Sequence, residues 1–173
     1  MDGVDLLLAE REIRNVVLRY CRGIDRMDRD LVRSCYHDGA TDSHGSFEGD
    51  ADEFIVWVWR VLERYDMTMH FVGNVLVEVD DDPTRARCES YGIAFHRTAA
   101  GGAGANLTMG FRYVDRFAYR SPSPDAPPQW RIERRAVVTE WVRPDRPEDH
   151  WPIPQGMLRG RRDGTDPVQE RDS

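Results

Sequence analysis

Hydrophobic residues recur at helical spacing in the first part of the chain. In residues 4–24, apolar positions follow one another at intervals of three or one, which places them on one helical face: Ile13, Val16, Val17, Tyr20, Cys21 and Ile24. Asp28 is a suitable N-cap for a short helix from Arg29 to Tyr36. Asp50 with Glu53 forms a capping pair before a third amphipathic helix. The pattern therefore predicts three N-terminal helices.

The remainder of the chain is rich in β-branched and aromatic residues, which is typical of strands. Turn-forming residues separate four predicted strands: Met67 to Val79, Arg85 to Arg97, Leu107 to Tyr119 and Gln129 to Val142. We also predict a short hairpin from Gly39 to Gly49 and a flexible loop from Thr98 to Asn106. Helices followed by an antiparallel meander make an α+β domain. A curved sheet wrapped over the helices would enclose a ligand pocket.

Length, charge and composition indicate the domain organisation, the cellular location and the class of partner. The 173 residues predict one domain, placed at 1–142, and a Pro/Arg/Asp-rich tail at 143–173 that lies on the surface or on a partner subunit. Acidic residues outnumber basic ones 31 to 24, which disfavours nucleic acid and anionic membranes as partners. The sequence has no long apolar run and an acidic N-terminus, and its three cysteines lack CxxC spacing. We therefore expect a cytoplasmic protein that acts on a small molecule.

The basic residues are all arginine, because the sequence contains no lysine. Schiff-base chemistry, pyridoxal phosphate attachment and Walker-type phosphate binding each require a lysine. Catalysis must therefore come from His, Asp, Glu, Tyr, Arg, Ser or Cys side chains.

Three residues form the main candidate site. Asp25 follows Cys21 by four positions, so it shares the buried face of the first helix if that helix continues, and lies in a solvated turn if the helix ends at Ile24. His70 and His96 lie among apolar neighbours near strand ends. A carboxylate that binds one imidazole nitrogen leaves the other free to accept a proton. Asp25 with His70 or His96 would therefore provide a general base without a metal.

The strand that carries His96 has small side chains on the same face: Cys88, Ser90, Gly92 and Ala94. This face is typical of a pocket floor. Tyr20 and Tyr113 are candidates for the acid or for binding a substrate oxygen.

Two other groups of residues suggest different chemistry. His37, Asp38, Asp42 and His44 form a loose cluster of potential metal ligands, but they lack the rigid spacing of a helical zinc motif. A solvated helix end followed by a polar hairpin is the favoured interpretation, and no metal site is predicted. Arg134 and Arg135 are candidates for binding a substrate carboxylate, although only one of them can face the pocket.

Several motifs resemble those of the SnoaL-like family in the nuclear transport factor 2-like superfamily. They are Tyr-Cys-Arg-Gly-Ile-Asp-Arg-Met-Asp at 20–28, Tyr-His-Asp-Gly-Ala-Thr-Asp at 36–42 and Met-His-Phe-Val-Gly-Asn at 69–74. The segments that begin at Arg112 and Gln129 resemble the last two strands of that family. The resemblance covers roughly residues 5–142. It implies a cone-shaped, curved mixed sheet on three helices around a deep apolar pocket.

The resemblance also implies a function. The chain resembles the scytalone dehydratases, whose first-helix aspartate and two strand histidines match Asp25, His70 and His96. It also resembles the hexachlorocyclohexane dehydrochlorinases, whose Asp–His pair matches Asp25 and His70. The water-orienting tyrosine of the dehydratases falls at Ser43 here, which becomes a candidate substrate-binding position.

We expect a cofactor-independent, dehydratase-like lyase that acts on a small cyclic or polyketide-like substrate. An isomerase or cyclase would use the same base. The alternative is a non-catalytic binding or assembly module, such as a ring-hydroxylating dioxygenase small-subunit-like protein. We expect a homo-oligomer, either a trimer or a dimer, because the open face of a sheet is usually covered by another surface, here that of a second copy of the chain.

Overall fold

The first helix is longer than its apolar stripe. The computed structural model describes residues 1–98, 106–146 and 153–169. Helix α1 spans Gly3–Arg26 and buries every residue of the predicted stripe. It ends at Met27, which adopts a left-handed conformation with φ of 56°. Asp25 therefore lies on the buried face of α1 and not in a solvated turn.

Helix α2 spans Arg29–Ser34 and α3 spans Ala51–Leu62. Both begin as predicted, because Asp28 accepts a hydrogen bond from Leu31 N and Asp50 accepts one from Glu53 N. The prediction that α2 reaches Tyr36 is wrong. Tyr36 begins strand β1 (Tyr36–His44), where pairing with the sheet and burial of its ring override the helical pattern.

Six strands form one curved mixed sheet. After β1 come β2 (Phe47–Asp50), β3 (Met67–Val79), β4 (Arg85–Arg97), β5 (Asn106–Arg120) and β6 (Gln129–Asp145). Their order in the sheet is β2-β1-β6-β5-β4-β3. The predicted meander β3 to β6 and the β1–β2 hairpin are confirmed, and β1 joins β6 in parallel. The interior of the predicted loop Thr98 to Asn106 lies outside the described residues.

The inner face of the sheet packs against α1 and encloses the core. Cys88, Ser90 and Ala94 of β4 are buried on this face. A Cβ atom on Gly92 would lie 2.3 Å from Cζ of Phe111. The expectation that these small residues form a pocket floor is therefore wrong, because the Phe111 ring fills the space above Gly92.

The C-terminal segment returns to the helices. Strand β6 continues to Asp145, three residues past the predicted domain boundary at 142. Beyond residues 147–152, which lie outside the described ranges, Arg162 donates to the backbone oxygens of Leu62 and Tyr65, and Asp166 pairs with Arg26 at 3.2 Å. Residues 160–168 thus contact the C-terminal ends of α1 and α3. In the described parts of the chain, no helix combines the length and apolarity needed to cross a bilayer.

Candidate active site

Asp25 binds His70 through both of its carboxylate oxygens. Asp25 Oδ1 lies 2.7 Å from His70 Nδ1, and Asp25 Oδ2 accepts a hydrogen bond of 2.8 Å from the backbone N–H of His70. Both side chains are largely buried, with 12% of Asp25 and 9% of His70 exposed. Helix α1 and strand β3 are thereby joined at the point where the chemistry is expected.

This geometry fixes the tautomer of the imidazole. An ionised carboxylate only accepts hydrogen bonds, so His70 Nδ1 carries the proton and donates to Asp25 Oδ1. His70 Nε2 then retains its lone pair. The arrangement is that of a histidine general base oriented by a carboxylate.

His96 lies diagonally across the β3–β4 ladder from His70. Thr68 pairs with His96 and His70 pairs with Ala94, so the two imidazoles share the inner face. Their ring centroids are 6.2 Å apart, and the His96 ring also contacts the Tyr65 ring at 4.9 Å. Burial, with a smaller contribution from the neighbouring His70, lowers the pKa of His96 to about 4. His96 is therefore neutral at physiological pH.

A cavity of about 220 Å³ lies beside the two histidines. Most of its wall is aliphatic or aromatic, and its polar groups are few: Tyr20, His44, Tyr65, His70, His96 and Thr139. A larger surface depression of about 430 Å³ lies by the start of α1, and its described lining residues include no histidine. The smaller cavity is lined by three histidines, the side chains best suited to acid–base chemistry near neutral pH.

The tyrosines and the serine named from the sequence occupy different environments. Tyr20 lines the cavity and is buried. Tyr113 is also buried, but its ring packs against Phe111 and Arg135, and among the described residues it is not part of the cavity wall. Ser43 is exposed on the other face of β1 and is likewise not among the described lining residues.

Arg135 is committed to an internal ion pair. Its guanidinium donates to both carboxylate oxygens of Asp115, at 2.8 and 2.7 Å, and neither side chain is exposed. The rings of Tyr20 and Tyr113 cover it at 4.1 and 3.9 Å. The expectation that Arg134 or Arg135 binds a substrate carboxylate is wrong for Arg135, because Asp115 already occupies its paired donors.

The suggested metal ligands are dispersed over different contacts. The Nε2 atom of buried His37 lies 2.9 Å from the backbone oxygen of Ala118, and Asp38 pairs with Arg33 on the surface. Asp42 accepts a hydrogen bond of 2.6 Å from the Tyr36 hydroxyl. Within the described ranges, no group of three or more His, Cys, Asp or Glu side chains is placed to hold a metal ion.

His44 lines the cavity, whereas the sequence suggested it only as a member of a loose cluster of potential metal ligands in a polar hairpin. Its ring stacks on Phe54 at 5.2 Å, and its Nδ1 lies 3.5 Å from Oδ1 of buried Asp42. The signal was present in the sequence, because residues two apart on a strand share a face. Trp57 of α3 lines the same cavity.

Residues 5–136 match the model of the SnoaL-like domain family. The chain belongs to this family. The matched range contains the Asp25–His70 pair and His96, and ends within β6. No curated protein matches the sequence significantly.

Solved structures with the same fold extend the comparison. A putative scytalone dehydratase from Novosphingobium aromaticivorans is 17% identical, with a TM-score of 0.70 over 84% of this chain and 93% of that one. A hexachlorocyclohexane dehydrochlorinase, LinA-type3, from Novosphingobium barchaimii is 15% identical, with a TM-score of 0.73 over 88% and 100%. A nuclear transport factor 2-like protein with a cystatin-like fold, also from N. aromaticivorans, is 21% identical, with a TM-score of 0.58 over 79% and 85%. At these identities the likeness establishes the fold.

Proposed function

We propose that this protein is a cofactor-independent lyase of the dehydratase type, in which Asp25 orients His70 as the general base. The observation that carries the proposal is the 2.7 Å contact between Asp25 Oδ1 and His70 Nδ1 beside an apolar cavity. The dehydratase and dehydrochlorinase named among the structural neighbours favour elimination over other uses of such a base.

In the proposed reaction, His70 Nε2 removes a proton from the carbon next to a carbonyl group. Asp25 holds the imidazole in the tautomer that accepts this proton and stabilises the imidazolium that results. The electron pair of the broken C–H bond forms the new double bond as the leaving group departs from the adjacent carbon.

His96 is proposed to bind the substrate carbonyl. Its low pKa, about 4, means that a neutral imidazole N–H donates a hydrogen bond to the oxygen as negative charge develops there. The His96 side chain lines the cavity, and its Nδ1 is buried without a hydrogen-bond partner among the described residues. Tyr20 is proposed as a further substrate contact, because it lines the cavity.

The proposed substrate is a small cyclic or polyketide-like ketone. Pockets for drug-sized ligands usually measure about 300–1,000 Å³. A cavity of about 220 Å³ favours a single ring with few substituents.

The test uses 3-hydroxycyclohexanone, whose elimination gives cyclohex-2-enone and water. We expect the wild-type protein to accelerate both this elimination and the exchange of the α-protons of cyclohexanone in D₂O, measured by absorbance and by NMR. The His70→Gln variant should lose at least about 100-fold in both rates.

The two readouts separate the alternatives. Exchange without elimination would indicate an isomerase or cyclase that uses the same base. If neither reaction is accelerated, or if His70→Gln matches the wild type in both, the base has no catalytic role and the lyase proposal fails. A non-catalytic assembly module predicts that result.

We further propose a homo-oligomer that covers the outer face of β3 to β6. Large apolar side chains are exposed there, including Phe71 at 64% and Trp141 at 45%. Light scattering should give a mass of two or three chains, and Phe71→Glu should reduce it. Leu7→Glu, at an exposed position of α1, is the matched control and should leave the mass unchanged.

A cytoplasmic location is also proposed, since the three cysteines are free and buried.

A further inference from the structure

A second histidine–carboxylate pair lines the cavity, and the mechanism above does not use it. His44 is on β1 and His70 is on β3, and three strands separate β1 from β3 in the sheet. Both side chains nevertheless line the same cavity. Three-quarters of the His44 side chain is buried, since 25% is exposed. Stacking on Phe54 holds its ring in place.

Asp42 connects His44 to a buried charged cluster. The side chain of Asp42 is not exposed, its Oδ2 accepts from the Tyr36 hydroxyl, and its Oδ1 faces His44 Nδ1 at 3.5 Å. Neither Asp42 Oδ1 nor His44 Nδ1 has a hydrogen-bond partner among the described residues. Buried polar atoms without partners are rare, which makes each of these facing atoms the natural partner of the other.

The buried cluster around Asp42 contains more acidic than basic side chains. Arg135 is bound to Asp115, and burial, with a smaller contribution from Asp42, raises the pKa of Asp115. The cluster therefore contains two buried carboxylates and one guanidinium, and one proton on His44 would bring its net charge to zero.

Elimination of water requires a proton for the departing hydroxide. His96 is a neutral imidazole at neutral pH, because its pKa is about 4, and is therefore unsuited to supplying one. The second cavity histidine with a carboxylate beside it meets this requirement.

We propose that His44 is the general acid of the site and that the substrate is a β-hydroxy ketone bound between His70 and His44. This inference rests on the proposed function, because it assigns the second half of the same elimination.

The proton and electron balance is complete within these two residues. His70 Nε2 takes the α-proton, the C–H electron pair forms the C=C bond, and the C–O bond breaks toward the hydroxyl. His44 transfers its proton to that oxygen, which leaves as water. The substrate loses H and OH, His70 ends protonated, and His44 ends neutral. Proton exchange with solvent restores both residues.

The experiment compares two leaving groups on one ring. Elimination from 3-hydroxycyclohexanone needs an acid, whereas elimination of chloride from 3-chlorocyclohexanone does not, and both give cyclohex-2-enone. His44→Phe keeps an aromatic ring against Phe54 but carries no proton. We expect it to lower kcat/KM about 100-fold for the alcohol and less than about threefold for the chloride. His44→Gln, a polar substitution, should behave in the same way.

His70→Gln should lower both rates, which separates this inference from the function on which it rests. Unchanged rates in His70→Gln would defeat the proposed function. If His70→Gln lowers both elimination rates but His44→Phe changes the rates for the alcohol and the chloride equally, only the role of His44 is contradicted. Thr41→Ala, at an exposed position of the same strand, is the matched control and should retain both rates.

A binding measurement tests the same placement of the substrate independently of turnover. The Cε1–H resonances of the histidines are assigned from the variants and titrated with 3-hydroxycyclohexanone. Shifts of both His44 and His70 support a ligand that spans the two. A ligand that moves His70 alone, or moves neither, overturns the assignment.

Discussion

The carboxylate of Asp25 holds both the backbone N–H and the imidazole Nδ1 of His70. These two contacts, of 2.8 and 2.7 Å, fix the position of the strand and the orientation of the ring together. The chain can place this pair only because α1 continues past Ile24, so that Asp25 stays on the buried face. A buried carboxylate without such partners would be strongly destabilising.

Asp25→Asn should reduce the proposed base catalysis about 10²- to 10⁴-fold. An asparagine amide that donates to Nδ1 favours the tautomer with the proton on Nε2, which leaves no lone pair for the substrate. The measurement is α-proton exchange of cyclohexanone in D₂O. Asp28→Asn is the matched control, because asparagine is also a good N-cap and α2 should be retained. Equal losses in the two variants would contradict a specific role for Asp25.

His96 should make folding stability depend on pH. Its folded pKa of about 4 lies below the unfolded value, so the unfolded chain binds more protons between about pH 4 and 6.5. The contribution of His96 to stability is therefore fully present above about pH 6.5 and is lost as the pH falls toward 4. A shift of this size corresponds to roughly 3 kcal/mol at most.

Urea denaturation of the wild type and of His96→Gln, at about pH 4.5 and about pH 7.5, measures this effect. The difference in unfolding free energy between the two pH values should be smaller in the variant. A wild type and variant with the same pH dependence would show that His96 is not the group responsible.

The sequence predicted the elements well because their signals are local. The stripe of α1, the caps Asp28 and Asp50 and the four long strands each follow from neighbouring residues. The failures involve residues whose environment comes from distant parts of the chain. Phe111 covers Gly92 from the adjacent strand, and Asp115 neutralises Arg135 from 20 positions away.

The predicted site follows the same division. Helical spacing predicts that Asp25 lies on the same face as the buried apolar residues of α1. His70 and His96 are recognisable in the sequence as polar residues within apolar strands. The place of His44 in the cavity was not predicted, because it depends on the return of β1 alongside β6 as well as on the alternation of side chains within β1.

Arg135→Met should destabilise the protein by about 3–5 kcal/mol, because it leaves Asp115 buried without its cation. The double variant Arg135→Met with Asp115→Leu removes both charges and should recover more than half of that loss. Urea denaturation gives both values. A double variant that is as unstable as the single one would mean that packing around Tyr20 and Tyr113, and not charge, determines the cost.

The C-terminal segment should depend on Asp166 for its contact with α1. Asp166 accepts from the backbone N–H groups of Arg161 and Val168, at 2.8 and 3.1 Å, and pairs with Arg26 at 3.2 Å. It is 4% exposed, so truncation removes three partners at once. Asp166→Ala should speed amide hydrogen exchange throughout residues 158–169 and in the last turn of α1.

Asp163→Ala is the matched control for this segment. Asp163 is exposed and, among the residues that the structure describes, accepts from the nearby Thr165 N–H and hydroxyl, at 3.0 and 2.7 Å. Its removal should change exchange locally and leave α1 protected. Because Arg162 binds the backbone oxygen of Tyr65, whose ring contacts His96 at 4.9 Å, release of the segment should also lower elimination activity. Faster exchange in Asp166→Ala with undiminished activity would show that the segment is anchored there but does not support the site.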